Sequence, residues 1–553
     1  MRIKPLSLNN FTLILSLYFL LVLNIPLLKK LVTVLQHTEQ LKLGLIISFP
    51  LFFSALFYLV FSLFTVRYLA KPIAVVLILL SSLVSYAMFN YGILVDSDMI
   101  INIAETHTGE ALALVNQSSL LWWLITGVLP AILIMRVPLQ YPGLLKEMLH
   151  KIASMLVAML VIGLIASLYY KDYAAIGRNN SYLKKMIIPT QYLRSAGQYL
   201  NKTYLTSVRP HQSLGEDATV ATHTERKPRL MVLVVGETAR AKNFELNGYQ
   251  RPTNAFTRDL GMLSFQNVSS CGTATAISVP CMFSRLDKSD YDPSIAKTQD
   301  NLLDIIRHAK VAVRWMENDG GCKGVCARIP TLEFASDSNS EHCDGEYCRD
   351  EVLLENMQAE LAMLEGQDAV LVMHLVGSHG PTYYQRYPSE FRRFVPDCPR
   401  SDIQNCSDAE IVNSYDNTIY HDDYILSQII AKLTLKQTDW ETSLLYLSDH
   451  GESLGENGMY LHGMPYAFAP EEQTQIPLQL WMSPAFSQSG DYNQACLEQR
   501  AQNEQYSHDN LFDSVLGLMQ INTELYRPAQ DIFASCRNQE TIAAKPVRLA
   551  DPA

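Results

Sequence analysis

The first 170 residues of this 553-residue chain contain no cysteine and few charged side chains. A folded domain in water needs a charged surface, so that scarcity excludes an ordinary soluble domain there. The chain also lacks a basic excess: 44 Lys and Arg face 55 Asp and Glu, a net charge of -11, which argues against a nucleic-acid partner. It shows no internal repeat and no long low-complexity run, which argues against a repeat solenoid.

What the first part does have is five long apolar stretches, roughly over 11–28, 43–65, 72–94, 120–136 and 152–170. Each approaches the ~20 residues a helix needs to cross a hydrocarbon core. The first lacks a small-residue cleavage site and is followed by four more, so it reads as a retained helix rather than a signal peptide. One set of short connections holds Arg2, Lys4, Arg67, Lys71, Arg136, Lys146 and Lys151, and the other only Lys29, Lys30 and Lys42. The richer side is expected in the cytoplasm, which places everything after Tyr170 outside it. The connection Val95–Ser119 has no Lys or Arg but holds Asp96, Asp98, Asn102, Glu105 and Glu110, and it reads either as a solvated loop or as a wall of a lipid-headgroup site.

Three divisions follow: 1–170 as a transmembrane domain of five helices, 171–228 as interfacial helices and a linker, and 229–553 as a catalytic domain. The second division mixes aromatic, basic and apolar residues, as in Tyr182-Leu183-Lys184-Lys185 and Met186-Ile187-Ile188, and becomes more polar over His211–Pro228. All ten cysteines lie in the third. Cys271 and Cys281, Cys322 and Cys326, Cys343 and Cys348, and Cys398 and Cys406 are close in sequence, with Cys496 and Cys536 left as a fifth pair. An even count confined to one domain predicts disulfides formed in the periplasm. Cys322 and Cys326 have metal-like spacing, but no matching Cys or His pair follows.

From Arg229 onward, short apolar runs alternate with helix-like segments, the pattern of an α/β domain with a mostly parallel sheet. Leu230–Val235 stops at Gly236-Glu237, Ala369–Val376 at Gly377-Ser378-His379, and Ser443–Leu447 at Ser448-Asp449-His450-Gly451-Glu452. Ligands of such sheets bind beyond the carboxyl ends of the strands, so these endings are expected to converge there. Glu237, Asp449 and His450 would suit a borderline ion such as zinc and leave one position open. His379 and His462 could join the crevice, holding a second cation or a substrate phosphate. Ser269–Phe283 reads as a loop entering a helix, whose free N–H groups attract an anion. A hydroxyl there beside a metal could attack phosphorus, and Thr238, Thr273 and Thr275 compete for that role.

Several motifs in order carry a resemblance: Val235-Gly236-Glu237-Thr238-Ala239-Arg240 with Asn247-Gly248-Tyr249, Ser270-Cys271-Gly272-Thr273-Ala274-Thr275, Gly377-Ser378-His379-Gly380-Pro381-Thr382-Tyr383-Tyr384, and Ser448-Asp449-His450-Gly451-Glu452-Ser453. With them the chain resembles the lipid A phosphoethanolamine transferases, including the mobile colistin resistance enzymes, over essentially its whole length. The resemblance implies five transmembrane helices and a periplasmic domain of the alkaline phosphatase and sulfatase fold. It implies Thr275 as nucleophile, and Glu237, Thr275, Asp449 and His450 as ligands of a catalytic Zn2+. Lys323, His379 and His462 match positions given in the family to the phosphoethanolamine group or to a second zinc, and Asn102 and Glu110 match substrate-binding positions of the membrane loop. It also implies phosphatidylethanolamine as donor, lipid A as acceptor, a monomer at the inner membrane and resistance to polymyxins such as colistin.

Three rival readings remain. A sulfatase needs Cys-x-Pro-x-Arg or Ser-x-Pro-x-Arg; Cys281-Met282-Phe283-Ser284-Arg285 lacks the Pro and Ser278-Val279-Pro280-Cys281-Met282 lacks the Arg. A transferase of phosphoglycerol, or one acting on another envelope glycan such as lipopolysaccharide core, would share the threonine and metal logic. A non-enzymatic membrane scaffold would have lost metal ligands, and none is missing.

Overall fold

The computed structural model describes residues 5–36, 43–106, 108–141, 143–205, 209–221, 226–334, 340–345 and 347–537. It divides into two compact units: Met1–Ile101 with Ala111–Thr206 and Gly455–Leu461, and Asn102–Glu110 with Ser207–Leu454 and His462–Ala553.

In the first unit, Leu43–Phe64, Ala70–Asn90, Gln117–Arg136 and Leu144–Asn179 are each long and apolar enough to span a membrane. Their side chains are mostly turned outward; only 11% of the most apolar stretch of Leu144–Asn179 is buried inside the protein. Such surfaces require lipid around them. The expected first span falls on a bent pair of helical segments, Leu8–Leu23 and Ile25–Gln36, at 64° to each other, which together are long and apolar enough to count as a fifth span. Asn24 sits at the break, donating through Nδ2 to the carbonyls of Phe19 (2.9 Å) and Ile188 (2.8 Å) and accepting from the Ile188 amide (2.9 Å). Pro26 follows and adds no N–H to the helix ladder, so the bend has a local cause. The Val95–Ser119 connection contains helices Ser97–Glu105 and Thr108–Ala113 rather than an extended loop.

The second unit is built on seven strands: β1 (Arg229–Gly236), β2 (Leu263–Phe265), β3 (Ala312–Glu317), β4 (Thr331–Glu333), β5 (Ala369–His374), β6 (Glu441–Ser448) and β7 (Leu478–Met482). Their order across the sheet is β2-β7-β6-β1-β5-β3-β4. The run β6-β1-β5-β3-β4 is parallel, and β7 and β2 complete one edge antiparallel. Every residue of β1, β5 and β6 is buried, as near-continuous apolar runs require when both faces of a parallel sheet are covered. The polar stretch before β1 belongs to this unit too, because Thr219–Val220 pairs antiparallel with Ile521–Asn522. All ten cysteines are bonded, in the four pairs expected from close spacing and in Cys496–Cys536, the pair left over.

Candidate active site

Register brings the four central strand ends level. Ser448 pairs with Gly236, Val235 with His374, and His374 with Glu317. The residues leaving those ends therefore meet at one edge of the sheet: Asp449 and His450 after β6, Glu237 after β1, His374 closing β5, and Glu317 and Asp319 at and after β3. Gly377 permits this crowding, because it has φ +47° and a Cβ there would lie 2.9 Å from the Glu237 carbonyl oxygen.

Glu237, Asp449 and His450 are fully buried, and one ligand atom from each lies within 4.8 Å of the others. His450 Nε2 is 3.6 Å from Glu237 Oε1 and 3.3 Å from Asp449 Oδ2. The Gly451 carbonyl lies 3.0 Å from His450 Nδ1, which suits a proton on Nδ1 and leaves Nε2 free to ligate. Burial pushes the Glu237 carboxyl well above the usual range, with Asp449 adding to it, and burial pushes Asp449 up to about 7. Burial and the neighbouring His462 drive His450 well down. Two buried carboxylates and a neutral imidazole facing one another are a poor arrangement without a cation between them. Asp449 Oδ2 supports that reading independently, being buried with no hydrogen-bond partner.

Thr275 opens the helix Thr275–Met282. Its Oγ1 lies 3.3 and 3.2 Å from the two carboxylate oxygens of Glu237 and 3.4 Å from His450 Nε2. Of the competing hydroxyls, Thr273 Oγ1 is engaged elsewhere, donating to the Met464 carbonyl (2.6 Å), and Thr238 Oγ1 donates to Glu237 Oε1. The Cys271–Cys281 disulfide closes the loop that carries Thr275. His379 Nε2 lies 4.0 Å from Glu237 Oε1, and the His462 ring packs 4.5 Å from that of His450 and 5.4 Å from that of His379. Glu452 Oε2 holds His462 Nδ1 at 2.9 Å.

Lys323 lines a cleft of about 550 Å3, and its charge acts on Asp319 and His374. Asn102 lies on helix Ser97–Glu105, and no described hydrogen bond brings its side chain to the Glu237 cluster. Glu110 falls in helix Thr108–Ala113, but its side chain lies outside the described residues. Sequence reasoning missed Glu317, Asp319 and His374. The signal for them was an acidic residue closing the apolar run Ala312–Glu317, a fourth ending like the three it used.

A mostly parallel sheet with carboxylates, an imidazole and a helix-opening hydroxyl gathered at its strand ends defines a domain of the alkaline phosphatase and sulfatase type, here on a chain with membrane-spanning helices. Residues 229–521 match the family described as Sulfatase, and residues 53–204 the one described as Phosphoethanolamine transferase EptA/EptB. The chain is 40% identical to phosphoethanolamine transferase EptA of Escherichia coli K12, with 96% of this chain and 97% of that one covered. It is 36% identical to phosphatidylethanolamine transferase Mcr-1 from Escherichia coli, covering 75% and 79%. The structure matches the integral membrane lipooligosaccharide phosphoethanolamine transferase A (EptA) from Neisseria meningitidis with a TM-score of 0.93 and 39% identity, over 97% of this chain and 100% of that one. The chain belongs to the EptA phosphoethanolamine transferase family. It is a multi-pass protein of the bacterial inner membrane with its C-terminal domain in the periplasm, in agreement with the basic-residue count and the cysteines.

Proposed function

We propose that this enzyme, acting as a monomer, moves phosphoethanolamine from phosphatidylethanolamine to a phosphate of lipid A through an ester on Thr275. The observation that carries the reading is Thr275 Oγ1 itself, set at a helix start within 3.4 Å of both Glu237 and His450. Glu237, Asp449, His450 and Thr275 would hold zinc, and the unpartnered Asp449 Oδ2 fits such an ion. When bound, zinc supplies positive charge that lowers the pKa of a neighbouring hydroxyl and stabilises phosphoryl oxygens.

The remaining steps belong to the chain's own side chains. Glu237 orients Oγ1 toward phosphorus and takes the Thr275 hydroxyl proton as Oγ1 attacks. The bond from Oγ1 to phosphorus forms as the bond from phosphorus to the glycerol oxygen breaks, and diacylglycerol leaves with a proton from His379 or His462. Glu452 fixes the His462 ring for that role. A lipid A phosphate oxygen then attacks the same phosphorus and gives its proton to the histidine, while the bond from phosphorus to Oγ1 breaks and Oγ1 takes its proton back from Glu237. Lys323 would hold a phosphate oxygen, and Asn102 and Glu110 the donor headgroup. A sulfatase reading has little room, because Cys281 is disulfide-bonded to Cys271 and unavailable for conversion to formylglycine.

Mass spectrometry of lipid A from a polymyxin-susceptible host tests this. Wild-type expression should add phosphoethanolamine and raise polymyxin tolerance, and Thr275→Ala should add none. Normal modification by Thr275→Ala contradicts the assignment of the nucleophile. A phosphoglycerol adduct, or unmodified lipid A with modified core sugars, contradicts the donor or the acceptor.

A further inference from the structure

Glu237 also borders a second buried group. One ligand atom each from Glu237, Asp319 and His374 lies within 4.8 Å of the others, and all three side chains are buried. Neither Asp319 nor His374 has a part in the transfer chemistry above.

The His374 ring is held as a ligating imidazole is usually held. Its Nδ1 faces Glu317 Oε2 at 2.9 Å and Oε1 at 3.1 Å. Glu317 is itself fixed, accepting from Trp315 Nε1 (2.8 Å) and from the Asp319 amide (2.7 Å). A carboxylate behind the far ring nitrogen, itself pinned by donors, is the arrangement that sets the tautomer and aim of a metal-bound histidine. The nitrogen so aimed, Nε2, is fully buried and has no hydrogen-bond partner. Its neighbour Asp319 Oδ2 is 3.8 Å away, beyond hydrogen-bond reach. An orphaned nitrogen and a buried carboxylate separated by that distance leave a place for a shared ligand.

Charge points the same way. Glu237, Asp449, Glu317 and Asp319 are four buried carboxylates at one sheet edge. A single dication and the ammonium of Lys323, whose charge acts on Asp319, do not balance those four carboxylates on their own. Buried charge of one sign is costly unless a further cation offsets it.

We propose that Glu237 bridges two divalent cations, the one shared with Asp449 and His450 and a second held by Asp319 and His374 Nε2. The inference rests on the proposed zinc site, which it extends. Two carboxylates and one imidazole suit zinc or manganese, and such paired ions flank transferred phosphoryl groups in other enzymes. It also gives the second ion ligands other than the His379 and His462 pair, where His462 Nδ1 is already taken by Glu452.

The test is metal content of the full-length chain in detergent, stripped with chelator and re-equilibrated with buffered free Zn2+ or Mn2+. Wild type should take up about two equivalents, and Asp319→Asn and His374→Gln about one each, with the thermal midpoint of the chelator-stripped protein unchanged. The double variant His379→Ala/His462→Ala should keep both. A wild-type value saturating at one equivalent overturns the second site and spares the first, whereas no uptake at all overturns both. Loss of one equivalent in the double histidine variant, with none lost in Asp319→Asn, overturns it by placing the second ion elsewhere. Should the variants not fold, anomalous scattering at the zinc edge from wild-type crystals decides: a second peak between Asp319 and His374 supports the site, and a single peak contradicts it.

Discussion

Thr275 is one of three threonines that chemistry alone leaves in competition, and geometry favours it. Thr273 gives its hydroxyl proton to a backbone carbonyl, while Thr275 Oγ1 faces both Glu237 and His450. Thr275→Ala should lower phosphoethanolamine release from donor lipid by on the order of 10^4-fold or more, as loss of a nucleophile does elsewhere. Thr275→Ser keeps the hydroxyl but frees its rotamer, and should retain transfer within about 100-fold of wild type.

His508 supplies a second test. Burial lowers its pKa from 6.5 to about 4, and its neutral ring accepts from the Cys271 amide and reaches the Ser448 carbonyl (2.9 Å). Between pH 6.5 and about 4 the unfolded chain binds a proton there that the native protein does not. Stability from this group is therefore present above pH 6.5 and is lost as pH falls through that range, by about 3 kcal/mol in all. Thermal midpoints measured across that range should fall less steeply for His508→Gln than for wild type; equal slopes would contradict the assignment.

Glu237 and Asp449 were legible in the sequence because each follows an apolar run as its first strongly polar residue, and His450 because it adjoins Asp449. His374 was not, because it lies inside the run Met373-His374-Leu375, where it reads as a core histidine. Asp319 sits in Asn318-Asp319-Gly320, which reads as a turn. Only pairing between β5 and β3 turns both toward Glu237.

The short helix Thr275–Met282 owes its position to what closes the loop before it. Cys271 and Cys281 are 10 residues apart, and their bond restricts the unfolded chain as well as the loop. Replacing both with serine should cost roughly 3 kcal/mol by loop-closure entropy, seen as a lower unfolding midpoint. Transfer activity should fall beyond what the lost stability explains, because Oγ1 loses its fixed place. A variant with wild-type turnover at low temperature would show that the bridge serves stability alone. At this level the spans and the central strands were plain from apolar length and run. The bend at Asn24 was not, since its partner Ile188 is 164 residues away and no local pattern announces it.

Taken whole, the chain joins apolar helices to an aqueous domain whose substrates are insoluble lipids. Tolerance to cationic peptides should therefore need both parts. A chain lacking residues 1–206 but secreted to the periplasm should leave lipid A unmodified in cells, as read by polymyxin susceptibility and lipid mass spectra. Full modification by that fragment would contradict a role for the membrane helices in reaching the donor. Added ethanolamine puts an ammonium beside each modified phosphate, so reduced binding of polymyxin to extracted lipid A should parallel the degree of modification and weaken with salt. The division into a membrane half and a periplasmic half was legible from charge, apolar length and cysteine placement, each pointing to the same side.

The most direct test is peptide mass spectrometry of the purified enzyme incubated with phosphatidylethanolamine and no acceptor, then quenched in acid. The account predicts the peptide containing Thr275 heavier by one phosphoethanolamine, with the label released when lipid A is added. An unmodified Thr275 peptide alongside continued release of diacylglycerol, or the group found on another residue, would contradict it.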